Sequence, residues 1–440
     1  MYELIAPPVV FAIVFTVIVH RWRFFHVQEI PKNWIFGAWV LKMIAGIAFW
    51  MVYTIYYSDP TESDALRYFK DALTIKAQWY QNKDVFWSFM LGQNMDHPEY
   101  IKLYDQLVAW SSEYRYGLSN DCSTIIRINV LLSFISFENF HVHTLCMSFM
   151  CFIGYMGIYR AFKSLLEGKE KWLFAACFLL PSVLFWSSSV LKEAPLFMCL
   201  GLLLLSIQKI FYSKKEWQYF IIFGFSFTML IYIKVYVVVS LIPSLISLTV
   251  IKLSGQKHVL LKFILTHIIC FIVAEQAHHF FRGGDFIYVL HKKQIDFYNL
   301  AQLTDAGSAI YIPPVSNASN FFLHYPEAFF LTYFRPHLFE AKSLVYLVFS
   351  IENAVYLLIC IGTLFFFKRP KESHLPMILM IVSYLLIIAA ILGNCVPILG
   401  AMVRYKVVAL PFLMILCAIC FDTLKAKMFF ARLSQNKTIQ

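Results

Sequence analysis

Three carboxylates stand close together at the start of a polar segment that follows a long apolar run. They are Asp59, Glu62 and Asp64. A carboxylate in such a place could act as a general base that takes the proton of an acceptor hydroxyl. The alternative is structural, because acidic residues are also favoured at the N-cap and in the first turn of a helix. The sequence leaves both interpretations open.

A cation and a tyrosine accompany these carboxylates. If a helix begins near Pro60, then Asp64, Arg67 and Tyr68 share one face of it, because residues three and four positions apart are neighbours on a helix. Arg67 and Tyr68 could then hold a phosphate-bearing substrate while a carboxylate handles the proton.

A second polar segment joins two apolar runs by a very short turn. It holds several serines, followed by Lys192, Glu193 and Pro195. Such groups are costly if they face lipid, so we expect them to face a cavity. Lys192 could bind a phosphate there as a point charge. The alternative is an interfacial turn in which Lys192 and Glu193 neutralise each other.

Two further segments carry cations beside apolar runs. Arg335 could donate a forked pair of hydrogen bonds to a phosphate or a carboxylate, and the alternative is an arginine that extends to lipid headgroups. Arg404 and Lys406 open the last apolar run, at an end that we predict to face outward. Cations at that end run against the usual cytoplasmic preference, which favours an anionic ligand.

Metal-binding patterns are weak in this sequence. The pairs His141–His143 and His278–His279 lack clustered partners, and adjacent residues of one element usually point to different faces. The 10 cysteines show no metal-ligand spacing and no disulfide framework. We therefore predict no metal site and name no cofactor, while a requirement for a divalent metal stays open.

The elements that must position these residues are membrane-spanning helices. Of the 440 residues, 60% are hydrophobic and 14% are charged, whereas a soluble chain is typically about 45–50% apolar and about 25% charged. This composition excludes an ordinary soluble enzyme. The net charge of +11 is dispersed beside apolar runs, so we attribute it to cytoplasmic loops and not to nucleic-acid binding.

About eleven runs are long and apolar enough to be candidate spans, which need roughly 20 residues each. They are Ile5–His20, Trp34–Tyr57, His141–Tyr159, Trp172–Ser188, Pro195–Ile210, Trp217–Tyr232, Val235–Ile251, Leu260–Ala277, Leu344–Phe367, Leu375–Leu392 and Val407–Asp422. With eleven spans, the lysines and arginines of the short loops fall on alternate connections, all on one side of the membrane. The cytoplasmic preference of these residues then places the N-terminus outside and the C-terminus in the cytoplasm. The sequence thus predicts an all-α polytopic membrane protein with a single transmembrane domain over residues 1–440.

Two long connections, about 58–139 and about 275–343, fall on the outer face in this topology. Their frequent aromatic and charged residues favour helices that lie along the membrane surface. The run Ile126–Phe137 is too short to span and suits an interfacial or re-entrant helix. All four polar segments then lie at one depth, the outer membrane–water interface.

This layout resembles the GT-C superfamily of polytopic glycosyltransferases, which use polyprenyl-phosphate-linked sugars. The resemblance rests on the acidic first outer loop, the multi-helix body, and Arg404-Tyr405-Lys406 before a last helix with Pro411. The segments Phe185–Glu193 and Arg335–Glu340 look like those of poorly characterised bacterial membrane proteins grouped loosely with that superfamily.

The resemblance implies an inverting transfer of a sugar, or of a glycan, from a polyprenyl-phosphate carrier to a glycan, lipid or protein acceptor. Asp64 or Asp59 matches the loop carboxylate proposed as the base, and Arg404 a phosphate contact. It also implies a role in polysaccharide synthesis for the cell envelope, at a bacterial inner membrane. The acidic loop follows the second run, not the first, and holds no adjacent acidic pair, so the base assignment stays open.

Three other functions compete with this one. A polysaccharide polymerase of lipid-linked repeat units would depend on Arg335 and Arg404 more than on Asp64. A transporter or flippase would need polar residues deep within several helices, whereas here they concentrate at one face. A non-catalytic scaffold of the envelope would need none of these charges.

Overall fold

The computed structural model describes residues 5–57, 63–93, 97–110, 121–212, 216–279 and 285–437. Within these ranges the regular structure is helical, and the strand-like features are two isolated β-bridges, Ala309 with Ile398 and Phe367 with Phe421. The prediction of an all-α chain is therefore confirmed for the part of the chain that the structure describes.

The first ten helices in chain order include both long apolar helices and shorter ones. They are α1 (Ala6–Arg21), α2 (Lys32–Met51), α3 (Asp64–Gln81), α4 (Lys83–Leu91), α5 (Pro98–Tyr104), α6 (Asp121–Ser133), α7 (Phe140–Phe162), α8 (Glu170–Phe178), α9 (Pro181–Trp186) and α10 (Glu193–Tyr212).

The remaining ten helices are likewise of both kinds. They are α11 (Trp217–Ser254), α12 (Val259–Gln276), α13 (Phe286–Leu303), α14 (Ala318–Leu323), α15 (Tyr325–Phe334), α16 (Leu344–Phe365), α17 (Leu375–Cys395), α18 (Leu399–Tyr405), α19 (Leu410–Cys420) and α20 (Thr423–Lys437).

Seven helical segments among the described residues are long and apolar enough to cross a membrane. They are Lys32–Tyr56, Phe140–Leu165, Glu193–Tyr212, Trp217–Ser254, Val259–His279, Leu344–Phe365 and Glu372–Cys395. The count rises to 8 if α18 and α19, which meet at a bend of 58°, form one span. These helices agree with a polytopic membrane protein, whereas the predicted eleven spans are not confirmed.

Three of the predicted runs differ from the observed helices for identifiable reasons. The run Trp172–Ser188 is broken after α8, because the residue before Pro181 is disfavoured in helical geometry. The runs Trp217–Tyr232 and Val235–Ile251 both lie in α11, whose backbone leaves helical geometry at Lys234, with φ −156° and ψ 89°. That residue falls between the two predicted runs.

The chain divides into two compact units. Unit 1 comprises Met1–Lys163, Cys177–Leu179 and Val183–Val238. Unit 2 comprises Ser164–Ala176, Leu180–Ser182 and Val239–Gln440.

The core of unit 1 is the close pairing of α7 with α10. A Cβ atom placed on Gly154 would lie 2.0 Å from the carbonyl oxygen of Phe197, and one on Gly201 would lie 2.0 Å from that of Gly154. Small residues at facing positions let two apolar helices approach backbone to backbone, which is a common source of packing energy in membrane proteins. Gly154 and Gly201 therefore allow the close approach of α7 and α10.

The short helices of the first predicted outer loop are held together by a buried carboxylate. Asp71 on α3 accepts hydrogen bonds from the backbone amides of Val108 at 2.8 Å, Ala109 at 2.8 Å and Trp110 at 3.0 Å. Burial raises the pKa of Asp71, and the three amides oppose that shift. This residue ties the segment 108–110 to the helix that carries Asp64 and Tyr68.

In unit 2, α15 and α17 pack at a similarly close distance. A Cβ atom on Gly393 would lie 2.2 Å from the carbonyl oxygen of Ala328, and the buried Tyr333 hydroxyl donates to the carbonyl of Leu385 at 2.7 Å. The end of α15 is thereby fixed, and Arg335 follows it directly.

Candidate functional site

The carboxylate segment is described in part. Asp59 and Glu62 lie outside the described residues. Asp64 is the first residue of α3 and is half-buried, and Ser63 before it has extended backbone geometry. The observed helix therefore begins four residues after Pro60, and the N-cap hydroxyl of Ser63 makes no capping hydrogen bond. Asp64 keeps its predicted place in the first turn.

Arg67 and Tyr68 stand one turn further along α3. Tyr68 is buried, while Arg67 is half-buried. Within the described part of the chain, the Nε atom of Arg67 and the Oγ atom of Ser63 are buried without a hydrogen-bond partner. Orphaned buried donors are costly and often mark a place where a ligand or water binds.

The structure brings Tyr68 together with Lys192, two residues that the sequence placed in separate segments. The Lys192 ammonium lies 5.4 Å from the centre of the Tyr68 ring, within range of a cation–π interaction. The same ammonium lies 3.2 Å from the Cys122 sulfur, and the Tyr68 hydroxyl lies 3.9 Å from that sulfur. We call Tyr68, Cys122 and Lys192 the Lys192 cluster.

Cys122 is a member of this cluster that the sequence analysis did not assign to the site. It stands near the start of α6 and is partly exposed. The sequence offered no signal for it, because a lone cysteine with no partner spacing has no recognisable motif. Cys122 is 54 residues from Tyr68 and 70 residues from Lys192 in the sequence. Only folding brings these three side chains together.

The turn that leads to Lys192 is held by a buried lysine of α2. Lys42 is fully buried, and its ammonium donates to the Ser187 hydroxyl at 2.5 Å and to the Tyr155 hydroxyl at 3.3 Å. The Tyr155 hydroxyl in turn donates to the carbonyl of Val183 at 3.1 Å. Charged groups within an apolar helix bundle are expensive and are usually retained for a role. Here Lys42 fixes the serine segment that precedes Lys192.

Glu193 opens α10 and is buried at 2% exposure. An acidic residue in the first turn is favoured by the positive end of the helix dipole, so Glu193 also has a structural role at this helix start. Of the buried serines beside it, Ser189 has a hydroxyl with no hydrogen-bond partner in the described structure.

Unit 2 brings the third and fourth predicted segments together. Lys406 is buried, and its ammonium donates to the carbonyl of Arg335 at 2.9 Å and to the amide oxygen of Asn353 at 2.7 Å. Lys406 thus contacts the backbone of the Arg335 segment. Arg404 lies one half-turn earlier, on α18, and is half-buried.

Arg335 forms a two-pronged ion pair with Glu340. Its Nε atom lies 3.0 Å and 3.3 Å from the two carboxylate oxygens, and its NH2 group contacts the first of them. The backbone amide of His337 also donates to Glu340, at 2.8 Å. Burial acts to raise the pKa of Glu340. The hydrogen bonds from Arg335 and from the His337 amide, together with the charge of Arg335, outweigh burial and hold that pKa below its ordinary value.

A cavity of about 420 Å³ opens beside this ion pair. Its lining is Glu327, Phe330, Leu331, Arg335, His337 and Glu340. A guanidinium on the wall of a cavity of this size could exchange its carboxylate partner for a phosphate, because both anions fit the same fork of donors.

The described residues contain no group of three or more histidine, cysteine, aspartate or glutamate side chains arranged to hold a metal ion. The buried His143 has both ring nitrogens occupied, with Asn129 Oδ1 and Ser136 Oγ each at 2.7 Å. Comparison of the chain with protein-family models, with curated proteins and with solved structures gives no match.

Proposed function

We propose that this protein is a membrane glycosyltransferase. It takes a sugar from a polyprenyl-phosphate-linked donor and transfers it to a glycan, lipid or protein acceptor at the outer face of the membrane. Three lines support the proposal: the apolar helices, the resemblance to the GT-C superfamily, and the meeting of two chemically distinct segments in the Lys192 cluster. The last of these is the observation that carries it.

The Lys192 cluster supplies a cation beside a helix whose first residue is a carboxylate. Lys192 stabilises the charge that develops on the departing phosphate. Tyr68 holds that ammonium in place through its ring, 5.4 Å away, and Lys42 positions the turn before it. Arg67, whose Nε atom lacks a partner among the described residues, adds a second donor to the phosphate.

Asp64 acts as the general base in this proposal. It removes the proton of the acceptor hydroxyl, whose oxygen forms a bond to the anomeric carbon of the sugar. The bond from that carbon to the phosphate oxygen breaks, and polyprenyl phosphate leaves with the electron pair. Asp59 and Glu62 are the alternative bases. Attack opposite the leaving group inverts the anomeric configuration.

The proposal is tested by the release of polyprenyl phosphate. The purified protein in proteoliposomes receives the polyprenyl-phosphate-sugar fraction extracted from bacterial membranes, together with the polar glycans of the same cells, and mass spectrometry follows free polyprenyl phosphate. We expect release by the native protein and none by Asp64→Asn. The control is Asp105→Asn, the same change at an exposed position of the same predicted loop.

Equal release by the native protein and by empty proteoliposomes would contradict the proposal. Unchanged release by Asp64→Asn would remove Asp64 from the mechanism and return the base assignment to Asp59 or Glu62.

A polysaccharide polymerase is the second candidate, and the Arg335 cavity is the observation that favours it. The cavity of about 420 Å³ beside the Arg335–Glu340 pair, with the Lys406 ammonium bonded to the carbonyl of Arg335, could hold a second phosphate-linked glycan. In that case Arg335→Ala abolishes chain extension, whereas Asp64→Asn leaves it intact. The length distribution of the glycan product separates the two functions.

A further inference from the structure

A long groove in unit 2 lies outside every step proposed above. It has a volume of about 910 Å³ and runs along α16 between α8 and α19, near the upper end of the roughly 300–1,000 Å³ typical of small-molecule sites. Its walls are almost entirely apolar, with Val355, Ile359, Ala176 and Met414 among them. The groove suits an extended hydrocarbon chain.

The apolar surface of α16 at the groove is left open by the part of the chain that the structure describes. Leu358 is 67% exposed, Val348 is 55% exposed and Ile351 is 50% exposed. The carboxylate on the wall belongs to Glu352, which is buried at 7% exposure. Its carboxylate accepts from the Ser182 amide and hydroxyl, each at 3.1 Å, and from the Tyr356 hydroxyl. The carboxylate is therefore satisfied by protein, and the groove stays apolar.

One end of the groove is cationic. Lys171 lines it there, and Lys169 donates to the carbonyls of Ala418 at 2.7 Å and Phe421 at 2.6 Å. Lys425 reaches the carbonyl of Phe367 at 3.2 Å.

Lys368 and Asp422 complete this charged end. The amide of Lys368 donates to the carbonyl of Cys420 at 2.7 Å. The acid among these contacts is Asp422, which accepts from the amides of Leu424 and Lys425. Glu170, between Lys169 and Lys171, is a second acid here, and its carboxylate accepts from the Gly168 amide at 2.7 Å. Four lysines against these two acids leave this end positively charged.

The same end of the groove has residues that are typical of the membrane–water interface. On α20, exposed apolar residues such as Leu424 and Met428 alternate with lysines, as in helices that lie in the lipid headgroup region. Phe430 of this helix lines the groove. Trp172 is 44% exposed, and the centre of its ring lies 5.6 Å from the centre of the Phe421 ring. Tryptophan is enriched at membrane interfaces.

We infer that the groove binds an anionic phospholipid of the surrounding membrane. One acyl chain lies in the groove along α16, and the phosphate lies beside Lys171. Charge complementarity selects an anionic headgroup over a zwitterionic one, because basic pockets between membrane helices attract acidic lipids. The groove belongs to unit 2, whereas the Lys192 cluster belongs to unit 1.

The test is retention of a defined lipid by the purified protein. The protein is reconstituted into vesicles of phosphatidylglycerol or of phosphatidylcholine with identical acyl chains, extracted in mild detergent, and analysed by native mass spectrometry. We expect a one-lipid adduct with phosphatidylglycerol and at least a tenfold weaker adduct with phosphatidylcholine. Lys171→Ala reduces this preference.

Filling the groove gives a second, independent readout. A Cβ atom on Gly362, which lines the groove, meets no atom within 4 Å, so Gly362→Phe projects its ring into the groove without a backbone clash. The matched control is Gly37→Phe on α2, another helical glycine with nothing within 4 Å. Gly362→Phe removes the adduct, and Gly37→Phe keeps it.

Three results would overturn the inference. The first is equal retention of the two phospholipids by the native protein. The second is an adduct that survives in Gly362→Phe. The third is displacement of phosphatidylglycerol by equimolar polyprenyl phosphate, which would make the groove part of the donor site.

Discussion

Lys192 is the side chain on which the proposed chemistry depends most directly. We expect Lys192→Ala to lower polyprenyl phosphate release by about 10²–10³-fold, the usual cost of removing one group that stabilises charge in a transition state. Lys192→Arg keeps the charge and retains part of the activity. The control is Lys102→Ala, at an exposed position of the first predicted outer loop, which leaves release unchanged.

Asp71 gives a prediction about stability. Three backbone amides donate to its two oxygens, and Asp71→Asn replaces one acceptor by a donor that faces them. We expect a loss of about 1–3 kcal/mol, the cost of leaving buried groups unsatisfied, seen as a lower melting temperature in detergent. Asp105→Asn, which is exposed, should melt as the native protein does; equal melting of both variants would contradict this account.

The Arg335–Glu340 pair predicts that the stability of the fold depends on pH. The folded-state pKa of Glu340 lies below its ordinary value. The ionised carboxylate therefore stabilises the fold at any pH above the ordinary, unfolded-state pKa. This contribution disappears as the pH falls through the folded-state pKa. We expect Glu340→Gln to melt below the native protein at neutral pH and the difference to shrink in acid; a difference that is constant with pH would rule the ion pair out as its cause.

The sequence predicted which single side chains belong to the candidate sites, but it did not predict which residues they contact. The sequence singled out Lys192, Arg335 and Lys406 because cations beside apolar runs are costly. It could not pair Lys192 with Cys122 across 70 residues, nor show that the Lys406 ammonium bonds to the carbonyl of Arg335. Those contacts depend on how helices pack, which a local pattern does not contain.

At the scale of elements, the pairing of α7 with α10 rests on glycine. We expect Gly154→Leu to lower the melting temperature by an amount equivalent to about 1–3 kcal/mol or more, because overpacking forces two backbones apart. Gly224→Leu on α11, where a Cβ meets no atom within 4 Å, serves as the control. Similar melting of the two variants would show that α7 and α10 are not held by close contact.

Helix boundaries were predicted well where hydropathy alone decides them. The runs predicted at Leu260–Ala277 and Leu344–Phe367 correspond to α12 and α16 within a few residues. The predictions failed where backbone geometry intervenes. The run Val407–Asp422 begins just before a break at which the segments Leu399–Val408 and Leu410–Cys420 meet at a bend of 58°. Pro411 lies next to this bend, which hydropathy does not register.

At the scale of the whole molecule, the predicted orientation follows from the distribution of lysine and arginine. We expect a green fluorescent protein fused after Gln440 to fluoresce in bacterial cells and an alkaline phosphatase fused there to be inactive. A Lys102→Cys variant should react with a membrane-impermeant maleimide from outside, above the background of the native cysteines. An active phosphatase fusion would reverse the orientation and move the Lys192 cluster to the cytoplasmic face.

The most direct test of the account is a structure in lipid nanodiscs with added polyprenyl phosphate. We predict density for the phosphate within hydrogen-bonding distance, about 3 Å, of the Lys192 ammonium, with Asp64 facing the same space. A phosphate bound at Arg335 with none at Lys192 would contradict the central claim and favour the polymerase. A bundle that binds no polyprenyl phosphate at either place would contradict both functions.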